Sequence, residues 1–287
     1  MSTPSLTALP IRRLTPRDLQ ACADLSEDRG WPREEHKWGL LLTAGTAYGI
    51  DDPGGGLVSA CVLTSYGPRE APELGAIGMM LVAERHARQG VGRRMMRYVV
   101  EAAGQTPLTL YATPEGRPLY EELGFKAIGR AEMLRGPFVA DGTAGPATRP
   151  AVAEDLPAIL RLDNAVFGVD RTHMITRLPA FADQFRVAEA AGEVTGYTAA
   201  WPNTGTHVIG PLVAQDLATA KALISSLAAH TDGPLRADVD VRHEGLAAWL
   251  KERGLVSQSF DTVMAYGMPE LPSDWTRNFT PLTMATG

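Results

Sequence analysis

The sequence predicts an α/β fold, strands alternating with helices around a central sheet, laid down twice along the chain. Three observations carry that expectation. The apolar stretch Ile77-Gly78-Met79-Met80-Leu81-Val82 leads through a short polar link into Arg88-Gln89-Gly90-Val91-Gly92-Arg93-Arg94, which reads as a strand, a glycine loop and a basic helix start. Pro107-Leu108-Thr109-Leu110-Tyr111-Ala112 reads as a second strand, turning at Thr113-Pro114-Glu115-Gly116 into the helix Leu119-Tyr120-Glu121-Glu122-Leu123 that stops at Gly124-Phe125. Finally, blocks recur: Gly192-Glu193-Val194-Thr195 echoes Gly56-Leu57-Val58-Ser59, the Ile209 stretch echoes Ile77, and Gly254 echoes Gly124, at spacings of 136, 132 and 130 residues.

The elements follow in order. Ile11 to Leu14 is a first strand, and Thr15-Pro16-Arg17-Asp18 supplies an N-cap, a proline at N1 and an early acid for a helix to about Arg29. A second helix runs from about Glu34 to Leu42. Ala47 to Ile50 and Gly56 to Thr64 form a strand pair across Asp51-Asp52-Pro53-Gly54-Gly55. The Leu74 to Val82 strand, the glycine loop with its helix, the Leu108 strand, the Tyr120 helix and a strand from Lys126 to Leu134 complete the first unit. Residues 9–136 are therefore expected as one domain, 137–146 as a Gly/Ala/Pro-rich linker, 147–270 as a second domain and 271–287 as a C-terminal tail.

The loop predicts a phosphorylated ligand. Glycines let main chain approach an anion, the first amides of the helix expected from about Arg93 lack internal partners, and the helix dipole adds positive potential there. A dinucleotide fingerprint needs a third glycine where Met95 stands, and a nucleotide-hydrolysing P-loop needs Lys-Ser or Lys-Thr where Arg93-Arg94 stands. Both are disfavoured. The stretch from Leu81 to Met96 resembles the coenzyme A loop of the GNAT acetyltransferase superfamily, with Ala87 in the slot where the family has Gln or Arg. Tyr120 to Phe125 resembles the family's second signature, Tyr-Glu-x-x-Gly-Phe.

That resemblance implies a mixed central sheet flanked by helices, and acetyl-CoA as acyl donor with no metal. It implies coenzyme contacts from Leu81, Val82, Arg88, Gln89, Gly90, Val91, Gly92, Arg93 and Thr113, and Tyr120 as the general acid that protonates the leaving thiolate. Acyl transfer also needs a neutral amine and donors for the developing oxyanion. Glu73 is the carboxylate nearest the apolar strand, and His86 stands in the loop; the base is left open between them and water. Trp31 and Trp38 wall the acceptor side in the family's arrangement, where they either stack on a cationic amine or pack as core. Asp170 and Arg171 either face the cleft or form a solvated loop pair.

The second copy has Gln215-Asp216-Leu217-Ala218 where the first has its glycines. Asp216 should cap that helix, placing a carboxylate where a pyrophosphate would sit. Trp249 stands one place from the Tyr120 equivalent. This half is expected not to hold the coenzyme in the same way, and the whole resembles tandem GNAT proteins with a degenerate second domain.

Composition sets the remaining expectations. The 287 residues are 45% hydrophobic, enough for packed cores, and the net charge of −6 disfavours a nucleic-acid partner. Cys22 and Cys61 are too few for a disulfide framework or a zinc site. No apolar run reaches the ~20 residues that span a bilayer, and Met1 to Pro10 lacks the pattern of a signal peptide. A cytoplasmic protein without a membrane partner, monomeric or homodimeric, is expected, acetylating a primary amine of a small molecule or peptide. A non-catalytic acyl-CoA sensor would keep the glycine loop without turnover, and a purely structural tandem domain would bind no coenzyme.

Overall fold

The structure, a computed structural model, describes residues 8–140 and 145–287; four residues of the expected linker, 141–144, and the first seven lie outside it. The first half contains β1 (Ile11–Arg13), a 3-10 turn at Pro16–Asp18, α1 (Leu19–Asp28), α2 (Glu35–Ala44), β2 (Thr46–Asp51), β3 (Leu57–Tyr66), β4 (Leu74–Val82), α3 (Val91–Ala103), β5 (Leu108–Ala112), α4 (Arg117–Glu122) and β6 (Lys126–Gly136). The second contains β7 (Thr148–Pro150), α5 (Leu156–Phe167), α6 (Thr172–Ile175), α7 (Leu178–Phe181), β8 (Gln184–Ala190), β9 (Glu193–Asn203), β10 (Thr206–Ala214), α8 (Leu217–Ala228), β11 (Leu235–Asp240), α9 (Glu244–Glu252), β12 (Val256–Tyr266) and β13 (Asn278–Thr280).

The halves do not close separately. One sheet runs β1-β2-β3-β4-β5-β12-β6-β11-β10-β9-β8-β7, so each half sends its last long strand into the other. β12 lies antiparallel to β5, with Val263 opposite Tyr111 and Thr262 opposite Ala112. β6 likewise pairs β11, Met133 opposite Asp238 and Ala131 opposite Asp240. The two exchanged strands then pair with each other at the centre of the sheet.

Side-chain alternation divides the sheet into two faces. In the first half, α3 and α4 cover one: Met95, Met96, Val99 and Tyr120 pack on Ile77, Leu108, Leu110, Ala112 and Met264. Helices α1 and α2 cover the other, where Cys22, Leu25, Trp38 and Leu41 pack on Ala60, Val62, Met79 and Leu81. The cluster on the same side of the second half, with Phe167, Met174, Tyr197 and Trp201, continues into Leu40, Tyr66 and Ala76 of the first.

The segment 271–287, expected as a tail, is packed between the halves. Residues of β13 pair with β10, Thr280 opposite Leu212 and Asn278 opposite Val213. Phe279, Leu282, Thr283, Ala285 and Thr286 are all buried. The chain then crosses to the first half, where the Tyr66 hydroxyl donates to the carbonyl of Thr286.

Candidate active site

β4 and β5 run parallel only from Gly75–Leu108 to Ile77–Leu110. Beyond that point β4 continues to Val82 on its β3 side alone, with a register shift between Ala60 and Val62. Met79, at φ 51°, marks the bulge. A methionine in the left-handed region costs about 1–2 kcal/mol, which local packing must hold in place. The result is an edge of β4, from Gly78 to Val82, that faces an opening rather than a neighbouring strand.

The glycine loop stands at the end of that opening. Gly90 is the N-cap of α3 at φ 79°, so it needs its glycine for conformation. The helix begins at Val91, two residues before the expected start. Arg94 makes the first return bond, to the carbonyl of Gly90 at 3.1 Å. Among the described residues no acceptor is recorded for the amides of Val91, Gly92 and Arg93. A Cβ on Gly92 would come 3.5–3.6 Å from Leu119, Val82 and Met80, ordinary contact that brings the loop, the end of β4 and α4 together. Gly92 is thus not sterically obligatory in the protein alone.

Arg88 and Gln89 are exposed, and Gln89 donates to the carbonyl of Arg85. Arg93 pairs with Glu122 across the mouth of the opening. Beside the loop a hollow of about 400 Å³ is lined by Ile11, Gly90, Arg93, Arg94, Arg97, Tyr98 and one carboxylate, Glu101. The preceding turn is tied down at Asp52, which accepts from Arg85 at 2.7 Å and contacts His86 Nε2 at 2.6 Å. His86 is therefore engaged in holding the turn.

Tyr120 is 8% exposed, against Phe125, and its hydroxyl has no hydrogen-bond partner among the described residues. Burial pushes its pKa upward, with a smaller contribution from Cys61, so it stays protonated. Thr113 accepts from the amide of Gly116 at 3.2 Å, and a Cβ on Gly116 would meet the Tyr120 ring at 3.1 Å. That turn fixes where α4 points its tyrosine.

Other candidates are placed elsewhere. Glu73 is exposed at the far end of β4, roughly 30 Å of strand from Val82 at ~3.3 Å per residue. It cannot reach the opening as a base. Trp38 is fully buried and donates to Ser26 at 2.9 Å, so of the two readings open to it, it packs as core. Trp31 is 38% exposed. Arg171 is no solvated loop residue: it is 1% exposed and bound to Asp163, whereas Asp170 is exposed and caps Thr172.

The second half repeats the opening and fills it. β10 pairs with β11 only from His207 to Ile209, and past Gly210 its free edge is taken by β13. Asp216 caps α8 as expected, accepting from the Thr219 amide at 2.8 Å. Trp249 is buried against Phe138.

This fold, with an opened parallel strand pair beside a helix N-terminus, is that of an acyltransferase. A family model described as "Acetyltransferase (GNAT) domain" matches residues 159–280, and a second of the same description matches residues 63–136. Together they take in more than half of the sequence, and the chain belongs to the GNAT acetyltransferase family, with two GNAT domains. It is 28% identical over 247 residues to the "Uncharacterized N-acetyltransferase YitH" of Bacillus subtilis (strain 168), covering 83% of this chain and 84% of that one. Its fold matches a putative acetyltransferase from Pyrococcus horikoshii, with a TM-score of 0.82 and 17% identity, over 100% of this chain and 99% of that one. It also matches a tandem GNAT protein from the clavulanic acid biosynthesis pathway, with a TM-score of 0.65 and 14% identity, over 91% and 99%.

Proposed function

We propose that the first half transfers an acetyl group from acetyl-CoA to a primary amine of a small molecule or peptide. The observation that carries this reading is the open edge of β4 from Gly78 to Val82, leading to the unpartnered amides of Val91, Gly92 and Arg93. Three convergent donors at a helix start suit a pyrophosphate, and the arginine-lined hollow beside them suits a nucleotide phosphate. The free edge of β4 suits an amide-bearing arm laid alongside it as a further strand would lie. Acetyl-CoA supplies the activated acyl group. The chain's own work is to bind and orient that donor, to offer β4 amides to the developing oxyanion, and to hold a proton at Tyr120 Oη for the leaving thiolate.

In the second half the corresponding edge is covered by β13 and the helix start is capped by Asp216. One coenzyme site per chain follows. Calorimetric titration of acetyl-CoA into the wild type and a folded Gly90→Asp, Gly92→Asp variant tests it. Binding at one site per chain, lost in the variant, is expected, with turnover on an amine panel falling at least tenfold in Tyr120→Phe. Failure of the wild type to bind, or two equal sites per chain, would refute the reading.

A further inference from the structure

We propose that Asp261, carried by β12 from the second half into the first half's sheet, is the carboxylate that receives the acceptor's ammonium group and takes its proton. The proposal rests on the acetyl-transfer reading above and names the residue that the reading leaves unfilled.

Strand register places it. Thr262 lies opposite Ala112, the last residue of β5, so Asp261 comes level with Thr113, where the turn toward Tyr120 begins. Adjacent strands are ~4.8 Å apart, which sets Asp261 one strand from the end of β5. Ala112 and Met264 face α3 and α4; Asp261 and Val263 alternate with them and face the other way, toward the side covered by α1 and α2. Tyr120, on the α3/α4 side, and Asp261 thus flank one strand end from opposite faces, so one can deliver a proton while the other receives one.

Charge completes the case. Three carboxylates share this face. Asp238 accepts two bonds of 2.9 Å from Arg236, and Asp240 accepts two of 2.9 Å from Arg242, one from its side chain and one from its main-chain amide. Asp261 is only 6% exposed and has no hydrogen bond or ion pair among the described residues. Its other neighbours do not help: Glu115 of the turn is a further acid, and Tyr111 of β5, opposite Val263, is held neutral by burial. The cation that acts on it, Arg236, is committed to Asp238. Its oxygens are not sealed from solvent, and a nearly enclosed carboxylate set among other acids favours a cation arriving from outside the chain. Burial, then Asp238, push its pKa up to about 6 against the pull of Arg236, which suits a base for an amine near neutral pH.

The acceptor therefore belongs to the amines that are ammonium ions at neutral pH. The ammonium gives one proton to Asp261, and the freed lone pair forms the C–N bond at the thioester carbonyl. The C–S bond breaks, and the thiolate takes the Tyr120 proton, which water restores. Asp261 passes this proton to water, takes the second N–H proton and passes that on too; with one proton drawn back through Tyr120, one is released per turnover.

Carboxyl-carbon NMR of the CoA-bound protein, with Asp261→Asn to assign the signal, tests the placement directly. The Asp261 signal should titrate near pH 6 and shift its midpoint down by at least about one pH unit with saturating benzylamine or 1,4-diaminobutane. Glu115→Gln should lower the free midpoint by a smaller amount. In turnover, Asp261→Asn should lower kcat/KM at least about a hundredfold for benzylamine while aniline, uncharged at pH 7, changes only a fewfold. A signal indifferent to both amines, or an unchanged pH profile in the Asn variant, would overturn the assignment. Loss of acetyl-CoA binding in the wild type would instead remove the transfer reading, and the same amine titration of the coenzyme-free protein then decides Asp261.

Discussion

Replacing Arg171 with methionine removes one charge from the most enclosed ion pair in the described structure, and the consequence can be worked out. Its guanidinium reaches Asp163 with bonds of 3.2, 3.0 and 2.8 Å, donates to the main-chain oxygen of Gly287 at 3.1 Å, and lies 3.9 Å from the Phe167 ring centre. Both partners are 1% exposed. Without Arg171, Asp163 keeps only the Tyr197 hydroxyl in a site closed to water. Removing one member of such a pair costs about 3–5 kcal/mol, nearly all of it the penalty on the stranded carboxylate. At roughly 2–4 °C per kcal/mol for a chain of this size, Tm should fall by about 6–20 °C. Because the loss comes from stranding, Asp163→Leu with Arg171→Met should recover to within about 1 kcal/mol of the wild type. Scanning calorimetry and urea unfolding of the three proteins read this out. A single variant within about 1 kcal/mol of wild type, or a double variant as unstable as the single, would refute the reasoning.

Segments 8–140 and 145–287, produced separately, should each fail to fold to a native monomer and should form a one-to-one complex on mixing; two stable monomers by sedimentation would count against the strand exchange. Gly78→Ala would bring its Cβ to 2.4 Å from that of Ala285, so a loss of about 1–3 kcal/mol is expected, and an unchanged urea midpoint would show the segment free to move. The Thr219 amide holds the Asp216 carboxyl below its ordinary range, so its folded pKa lies under the unfolded ~3.9. Its contribution is full above that value and disappears as pH falls through the lower, folded one. Asp216→Ala should cost about 0.5–2 kcal/mol at pH 7, with the difference closing in strong acid; a gap that persists at pH 2 contradicts the cap.

The parts of the site legible in the sequence are those written in short-range pattern. Gly90 needs a positive φ, α3 begins within two residues of expectation, and the apolar run from Leu74 to Val82 is β4 over its whole length. What could not be read is which strands meet. β6 and β12 carry the same alternation whether each closes its own half or the other's, because alternation specifies a face and not a neighbour. Asp261 was invisible for that reason: in sequence it is an acid near the end of a strand, and only beside Asp238 and Ala112 does it become a buried, unpaired one. Arg171 misled for a related reason, since its partner Asp163 lies eight residues back in α5, beyond the break at Gly168, and the burial comes from Phe167 and Gly287. Asn278-Phe279-Thr280 is too short to signal a strand and is one only because β10 has an edge to offer.

The exchange also explains how one copy could lose its loop without becoming dispensable. Gly78 and Gly210 occupy equivalent points 132 residues apart, each where its strand parts from the next. The segment after β13 passes both: a Cβ on Gly210 would meet the Pro281 and Leu282 carbonyls at 2.3 and 2.7 Å, and one on Gly78 would meet Ala285. Filling the second opening with β13 leads that segment onto the first half, where Ala285 packs at Gly78, the start of the first opening, and Thr286 is tied to Tyr66. The second half then contributes two things that a solitary first half lacks: the strand that closes its sheet beside β5, and the segment packed at Gly78. Its glycine loop serves neither purpose, so nothing in the packing of the first half depends on retaining it.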